Sequence, residues 1–455
     1  MDAFDFVIVG GGAAGEAAAF MALGRGSSVA IVDRDLFGGS CPFWACLPSK
    51  VLLHAAGIHA IGGDYPWTRA SARRDWMINR EGLPYPSDAG HVRRLTDAGA
   101  DVVRGEARVT GPGAVRVRLA EGGERHLRGR FLVVAVGTRG SVPVIEGLDG
   151  VATWSNREAT SARELPRSLL VLGSGPSGVE LAQVYARYGV PTTIVARHRL
   201  NSKDHARNSE ALAAGLTRDG VDVRLGAEPV AVEGGGGPDG AHLVRLSDGT
   251  SATGHEILLA VGRVAPLDGL GLETIGVNLR DGRVRPDDRL QVAEGTFVAG
   301  DPAGPEMHTH LAHYQGEMVA RIALGDDVRP DFRAIPRATY TDPETAGVGL
   351  TVEQARREGL DAFEETVDLA TSARGYVADA GGHATIVVDR GARTLVGAFI
   401  AGPGASEAIH LAVLAIKTRT PLEVLADTIT AFPTTSRALA GTFPAALATL
   451  EAHRD

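Results

Sequence analysis

The feature that most constrains this 455-residue chain is a glycine pattern that occurs twice, each time between a short apolar strand and a helix. Near the start, Val7-Ile8-Val9 runs into Gly10-Gly11-Gly12-Ala13-Ala14-Gly15. An Ala-rich helix follows, and Val29-Ala30-Ile31-Val32 forms a second strand ending in Asp33. Strand, glycine turn, helix, strand and acid together make a complete dinucleotide fingerprint. Gly10, Gly12 and Gly15 let the backbone turn and approach a pyrophosphate at the helix N-terminus, and Asp33 can accept hydrogen bonds from a ribose diol. The pattern returns at Leu169-Leu170-Val171-Leu172-Gly173-Ser174-Gly175-Pro176-Ser177-Gly178, followed by a helix and the strand Thr192-Thr193-Ile194-Val195. Gly173, Gly175 and Gly178 repeat the first set, so the chain is expected to be an α/β protein that binds two dinucleotides.

The two copies differ where the acid belongs. Asp33 stands 18 residues after Gly15, whereas the residue 18 after Gly178 is Ala196, followed by Arg197-His198-Arg199. A carboxylate there would repel a 2′-phosphate, while Arg197 and Arg199 can form charge-assisted hydrogen bonds with one. The second nucleotide is therefore read as NADPH. The competing reading is a solvated charged loop, and His198 alone adds little.

The chain's only cysteines, Cys41 and Cys46, sit in Gly38-Gly39-Ser40-Cys41-Pro42-Phe43-Trp44-Ala45-Cys46-Leu47-Pro48-Ser49-Lys50. In a regular helix, residues five apart have Cα atoms about 7.5 Å apart. That is beyond the usual disulfide limit of about 7 Å. Bridging needs an irregular turn, which Pro42 can help make. Spacing alone leaves open a pair of inert buried thiols, since free cysteine is among the most buried residue types.

The apolar strand begins almost at Met1, leaving no room for a secretion signal, and no apolar run approaches the roughly 20 residues that span a bilayer. A cytoplasmic location is expected, where a close cysteine pair is more often catalytic than structural. The length suggests about three domains. A net charge of −9, without a basic stripe, argues against nucleic acid.

Taken together, these residues resemble the pyridine nucleotide-disulfide oxidoreductases, which include glutathione reductase, dihydrolipoamide dehydrogenase and mercuric reductase. Thr296-Phe297-Val298-Ala299-Gly300-Asp301 is similar to the family's second FAD motif. Val134-Ala135-Val136-Gly137-Thr138 and Leu259-Ala260-Val261-Gly262-Arg263 are similar to its paired interdomain crossings, and Ile335-Pro336-Arg337 through Gly349 to the opening of its C-terminal domain. The resemblance implies a glutathione reductase-like fold of two Rossmann-type domains plus an α+β dimerisation domain. Residues 1–150 and 263–332 would bind FAD, 151–262 would bind NADPH, and 333–455 would form the interface of a homodimer. It also implies that FAD, with its ribityl chain held by Asp301, passes electrons from NADPH to a redox-active disulfide. Cys46 would be the flavin-proximal sulfur and Cys41 the interchange sulfur facing a small-molecule substrate, a helix N-terminus favouring both thiolates. Lys50 and Glu180 match residues that pair beside the flavin.

One departure is large. The family's acid-base motif, His-Pro-Thr-x-x-Glu, is supplied across the dimer, and here the aligned segment is Phe432-Pro433-Thr434-Thr435-Ser436-Arg437. Phe432 takes the histidine position and Arg437 the glutamate position. A family member with phenylalanine there, 2-ketopropyl-coenzyme M oxidoreductase/carboxylase, cleaves a thioether and captures carbon dioxide. It has lost the lysine retained here as Lys50 and has histidine at the Arg437 position. Phe432 and Trp44 would suit a site kept free of protons, and Arg437 is a candidate to hold an anionic substrate tail. Direct reduction of quinones or oxygen by flavin, and a non-catalytic NADPH-responsive scaffold, are the other readings. His308, His310 and His313 are candidates for a relocated acid, His313 reading as structural. Their spacing lacks the i, i+4 pair of a helical metal site, and no metal is expected. A mercuric reductase would carry a further cysteine pair near its C-terminus, which this chain lacks. The Gly234–Gly240 run reads as a hairpin loop.

Overall fold

The computed structural model describes residues 1–79 and 86–452. The chain divides into two compact units, one of Met1–Val51, Ser71–Ser141 and Gly262–Asp331, the other of Leu52–Ala70, Val142–Val261 and Phe332–Asp455.

The first unit is built on a parallel sheet in which residues 2–9 lie between 29–33 and 127–134, with 101–104 and 296–298 at the flanks. Val7 and Ile8 are fully buried, as are Leu132 and Val133 in the neighbouring strand. Such continuous apolar runs mark strands covered on both faces, and each buried Val or Leu side chain contributes about 1.5–3 kcal/mol. The strands Asp101–Gly111, Ala114–Leu119 and Glu124–Val134 continue as an antiparallel meander. The helices Ala13–Gly24 and Thr309–Ala323 meet so closely that a Cβ on Gly316 would stand 2.2 Å from the Ala14 carbonyl oxygen.

The second unit repeats the parallel theme in a four-stranded sheet ordered Glu256–Leu259, Leu169–Leu172, Thr192–Ala196, Asp222–Leu225. Beside it, Pro229–Glu233 and His242–Leu246 form an antiparallel pair joined by the glycine run read as a hairpin loop. The rest of the unit is a five-stranded sheet ordered Pro336–Thr339, Thr345–Gly349, Thr394–Ala401, His383–Asp389, Ala362–Asp368. Helices His410–Thr418 and Thr442–Ala452 contribute Ala412, Ile416, Phe443 and Ala446 to its core.

A buried polar chain ties segments of this unit together. His383 Nε2 bonds Asn208 Oδ1 at 2.8 Å and its Nδ1 bonds Thr385 Oγ1 at 2.9 Å; Asn208 in turn donates to Asp204 and to the Ala346 carbonyl. Because the amide oxygen only accepts, Nε2 carries the proton and the ring is neutral. Burial first, then the nearby His205 and Arg207, push the His383 imidazole down to about 3.

Candidate active site

The two glycine turns adopt the same geometry. Gly10 and Gly173 both have φ +112°, and an added Cβ would lie 2.2 Å from Ala135 O and 2.3 Å from Ala260 O respectively. Their N–H groups donate to Val32 O at 2.8 Å and Val195 O at 2.9 Å. Only glycine occupies that backbone region against a carbonyl so close. Gly15 shows the same pressure, its Cβ position lying 1.9 Å from Gly10 O.

Both following helices begin without a side-chain cap, at Gly12 and at Gly175. Several other helices do carry a side-chain cap, from Ser155, Thr351, Ser372 and Thr434. The first-turn N–H groups after Gly12 and Gly175 are therefore left for an anion. Asp33 ends its strand with Oδ2 accepting from Gly11 N at 2.6 Å and Oδ1 from Asp35 N at 2.8 Å. Burial pushes its carboxyl up, against the pull of those two donors. Asp301 accepts from the Thr138 hydroxyl, and Arg263 donates to Thr138 Oγ1 at 2.6 Å while lying 3.6 Å from the Asp301 carboxylate. Gly137, just before Thr138, has φ +62°. Gln315 orders the same turn by accepting from Gly300 N and donating to Gly304 O.

Cys41 and Cys46 are both half-buried thiols on separate helices, Ser40–Trp44 and Cys46–Ala60. The break between them falls at Ala45, with φ −128° and ψ −98°; Pro42 lies inside the first helix. This corrects the expectation that Pro42 makes the irregular turn. Proline in a first helical turn forfeits no hydrogen bond, so it fits there without disrupting the helix.

Thr309 Oγ1 approaches Cys46 Sγ at 3.3 Å. The Cys41 thiol is pushed up, above all by its hydrogen bond to the Cys46 sulfur, then by burial and the charge of Cys46, while Thr309 pulls it down. The expectation of two favoured thiolates thus fails at Cys41. Its helix is a single turn, too short for a strong dipole, and two adjacent sulfurs hold a shared proton more tightly than one.

On the Cys46 helix, Lys50 Nζ donates to Ser49 Oγ at 3.3 Å. Glu180, in the second unit, is 2% exposed and accepts from Tyr340 N at 3.0 Å. Arg197, His198 and Arg199 are exposed after the strand Thr192–Ala196. Arg197 lies 3.4 Å from Glu228 and donates to His198 Nε2 at 3.0 Å, and Arg199 donates to Asp204 O. Phe432 is 74% exposed and Arg437 exposed, its Nη1 3.4 Å from Thr430 Oγ1; both belong to the second unit. His308 starts the helix at Thr309, with Nε2 2.7 Å from Glu306 Oε2 and its ring stacked on His310 at 5.0 Å. His313, read as structural, stands on the exposed side of that helix.

Sequence reasoning found Asp301 but missed Thr309 and the bonds that join Thr138 and Arg263 to that aspartate, although these residues lie within or beside motifs it had found. The structure joins Cys41, Cys46 and Thr309 in one unit; Phe432 and Arg437 belong to the other.

Two uncapped nucleotide turns and a pair of neighbouring thiols are the marks of a dinucleotide-dependent oxidoreductase. The family profile named pyridine nucleotide-disulphide oxidoreductase matches residues 4–316, and its dimerisation-domain profile matches 335–442. The chain belongs to that family and is a flavoprotein disulfide reductase using FAD and a nicotinamide dinucleotide. It is 33% identical to dihydrolipoyl dehydrogenase 2 of Haloarcula marismortui over 460 residues, covering 96% of this chain and 95% of that protein. It is 30% identical to mercuric reductase of Shigella flexneri over 439 residues, covering 93% and 78%. The structure of the HOCl-induced flavoprotein disulfide reductase RclA of Escherichia coli, in its Cu(II) complex, superposes with a TM-score of 0.87. That match has 25% identity and covers 98% of this chain and 100% of that one. Among the described residues, no helix is long and apolar enough to cross a membrane.

The residues fit FAD on their own geometry. The uncapped turn at Gly12 leaves donors for a pyrophosphate, Asp33 has further acceptor capacity for a ribose, and the Asp301 carboxylate lies beside Gly300 at the end of the parallel sheet.

Proposed function

We propose that this chain passes electrons from NADPH, through FAD, to the Cys41/Cys46 pair and on to a small, sulfur-containing substrate. Residues 1–150 and 263–332 are assigned to FAD, 151–262 to NADPH and 333–455 to a homodimer interface. The observation that carries the reading is the sulfur pair itself: two thiols on adjoining helices, hydrogen-bonded to each other and touched by Thr309. FAD, when bound, supplies the two-electron exchange between nicotinamide and sulfur.

The chain's own residues do the rest. Gly10, Gly12, Gly15, Asp33, Gly137, Thr138 and Asp301 hold FAD, and Gly173, Gly175 and Gly178 hold the second dinucleotide. Arg197 and Arg199, which stand where an acid would favour NADH, bind the 2′-phosphate with His198 beside them. Lys50 and Glu180 are assigned to the flavin's surroundings by motif. Cys46 is the flavin-side sulfur and Cys41 the substrate-side one. Phe432 and Arg437 occupy the family's acid-base positions, and Arg437 is free of a carboxylate partner closer than 4 Å among the described residues, so it suits an anionic substrate group. The exposure of Ile429 at 97% and Phe432 at 74% supports burial of this stretch against a second copy.

The test is anaerobic titration with NADPH, following the flavin spectrum and counting free thiols in protein first oxidised to the disulfide. Two new thiols per chain support the reading. Flavin reduction without new thiols moves the chemistry to the flavin itself and rejects the dithiol route.

A further inference from the structure

The family's acid-base pair is absent from its usual place, yet a histidine–carboxylate pair stands elsewhere, one residue from the group that touches the sulfurs. Glu306 Oε2 lies 2.7 Å from His308 Nε2, and His308 immediately precedes Thr309, whose hydroxyl contacts Cys46 Sγ at 3.3 Å. His308 does not cap its own helix. Its ring lies nearly parallel to His310, at 10° and 5.0 Å, which limits its rotation. A carboxylate on Nε2 fixes the proton there and leaves Nδ1 as the acceptor. Both residues are half-buried, so a substrate can reach them.

We propose that Glu306 and His308 are the acid-base pair of the substrate half-reaction, supplied by the same chain that carries the sulfurs. This rests on the reading that Cys41 and Cys46 exchange with a disulfide-type substrate. His308 Nδ1 takes the proton from the Cys41 thiol as that sulfur bonds to one substrate sulfur. The substrate S–S bond breaks, and the leaving sulfur takes the proton back from His308. The Cys46 sulfur then displaces the second substrate sulfur from Cys41, and the Cys46 proton leaves with it. The dithiol has lost two electrons and become a disulfide, and the substrate departs as two thiols. A Cys41 thiol that holds its proton tightly makes a base necessary at this step. Glu306 keeps the imidazole oriented through its contact with Nε2 and is a positioning residue. The titratable group stacked on the pair is His310, and Cys46 is touched by Thr309, the next residue in the chain.

The experiment compares two probes whose leaving groups differ. Hydroxyethyl disulfide releases a basic alkyl thiolate that needs a proton, whereas dipyridyl disulfide releases a stabilised group that does not. His308→Asn is expected to lower NADPH-driven turnover of both probes, since both need Cys41 deprotonated, but to lower that of hydroxyethyl disulfide, which also needs the proton returned, by about tenfold or more beyond the fall with dipyridyl disulfide. Glu306→Gln should move in the same direction by a smaller factor and shift the pH profile for the alkyl probe, which a merely structural role would leave in place. Flavin content and the NADPH-dependent appearance of thiols serve as controls and should match the parent protein in both variants. If the two probes fall by the same factor, or neither falls, the dyad assignment is overturned while the dithiol route stands. If the parent protein forms thiols with NADPH but reduces only dipyridyl disulfide, no proton donor is present and the assignment is again overturned. If the parent forms no thiols, the dithiol route itself fails and takes this inference with it.

Discussion

Thr309 and Cys46, separated by 263 positions in the chain, meet with their side-chain oxygen and sulfur 3.3 Å apart. A hydroxyl so placed donates to a developing thiolate, and it pulls the Cys41 thiol down against the stronger push from Cys46. Thr309→Val keeps the shape and removes the donor. A net hydrogen bond of about 1 kcal/mol corresponds to roughly fivefold in rate, so alkylation of the NADPH-reduced protein by iodoacetamide should slow by about that factor. In the parent, the Cys41 rate should keep climbing as pH rises through the ordinary thiol range, because a raised pKa postpones the plateau. An early plateau would contradict the assignment.

The matched turns at Gly10 and Gly173 separate the two nucleotides experimentally. Alanine at either position meets a backbone oxygen and a left-handed conformation at once, the latter alone costing about 1–3 kcal/mol. Gly10→Ala should be purified with little FAD. Gly173→Ala should retain FAD yet need far more NADPH for half-maximal flavin reduction.

Nucleotide choice is assigned to Arg197 and Arg199. Charge-assisted hydrogen bonds contribute about 1.5–3 kcal/mol, or roughly 10- to 100-fold in affinity. The double change to alanine should raise KM for NADPH by a factor in that range and leave KM for NADH nearly unchanged. Equal effects on both would show that the arginines are only a solvated loop.

The buried His383 gives a pH test of stability. Its ordinary value of 6.5 falls to about 3 in the fold. The unfolded chain takes up a proton below about 6.5 that the folded chain refuses. The contribution is therefore fully present above that pH and is lost as pH falls toward 3, at up to about 1.4 kcal/mol per pH unit. Urea unfolding at about pH 7 and about pH 5 should show this loss in the parent, and a smaller one in His383→Gln. Equal losses would remove His383 from the account.

Much of the fold was legible because its signals are local. The strand Val7-Ile8-Val9, the glycine after it and the acid at Asp33 lie within one short stretch, and the same grammar recurs from Leu169. The cysteine pair was equally plain. What escaped was long-range or silent. Nothing near Thr309 in the sequence points to Cys46, and Arg263 reaches Thr138 across 125 positions. The break at Ala45 was invisible because alanine is the best helix former and advertises no turn. Pro42 drew attention instead, since proline is known as a breaker, although at a helix start it is compatible with the helix. The thiol at Cys41 was misjudged for a related reason: a helix end is readable from sequence, whereas the pressure of a neighbouring sulfur depends on a contact.

That break at Ala45 has a mechanical meaning. On the proposed dithiol route, a bond between the sulfurs closes a small ring through the chain from Cys41 to Cys46, and the one residue outside helical geometry lies inside that ring. The joint and the bond share the same few atoms, so torsion at Ala45 can take up the change in sulfur spacing with each turnover. The helices on either side need not bend, and the glycine turn at Gly10 that precedes them can stay rigid while the chemistry cycles.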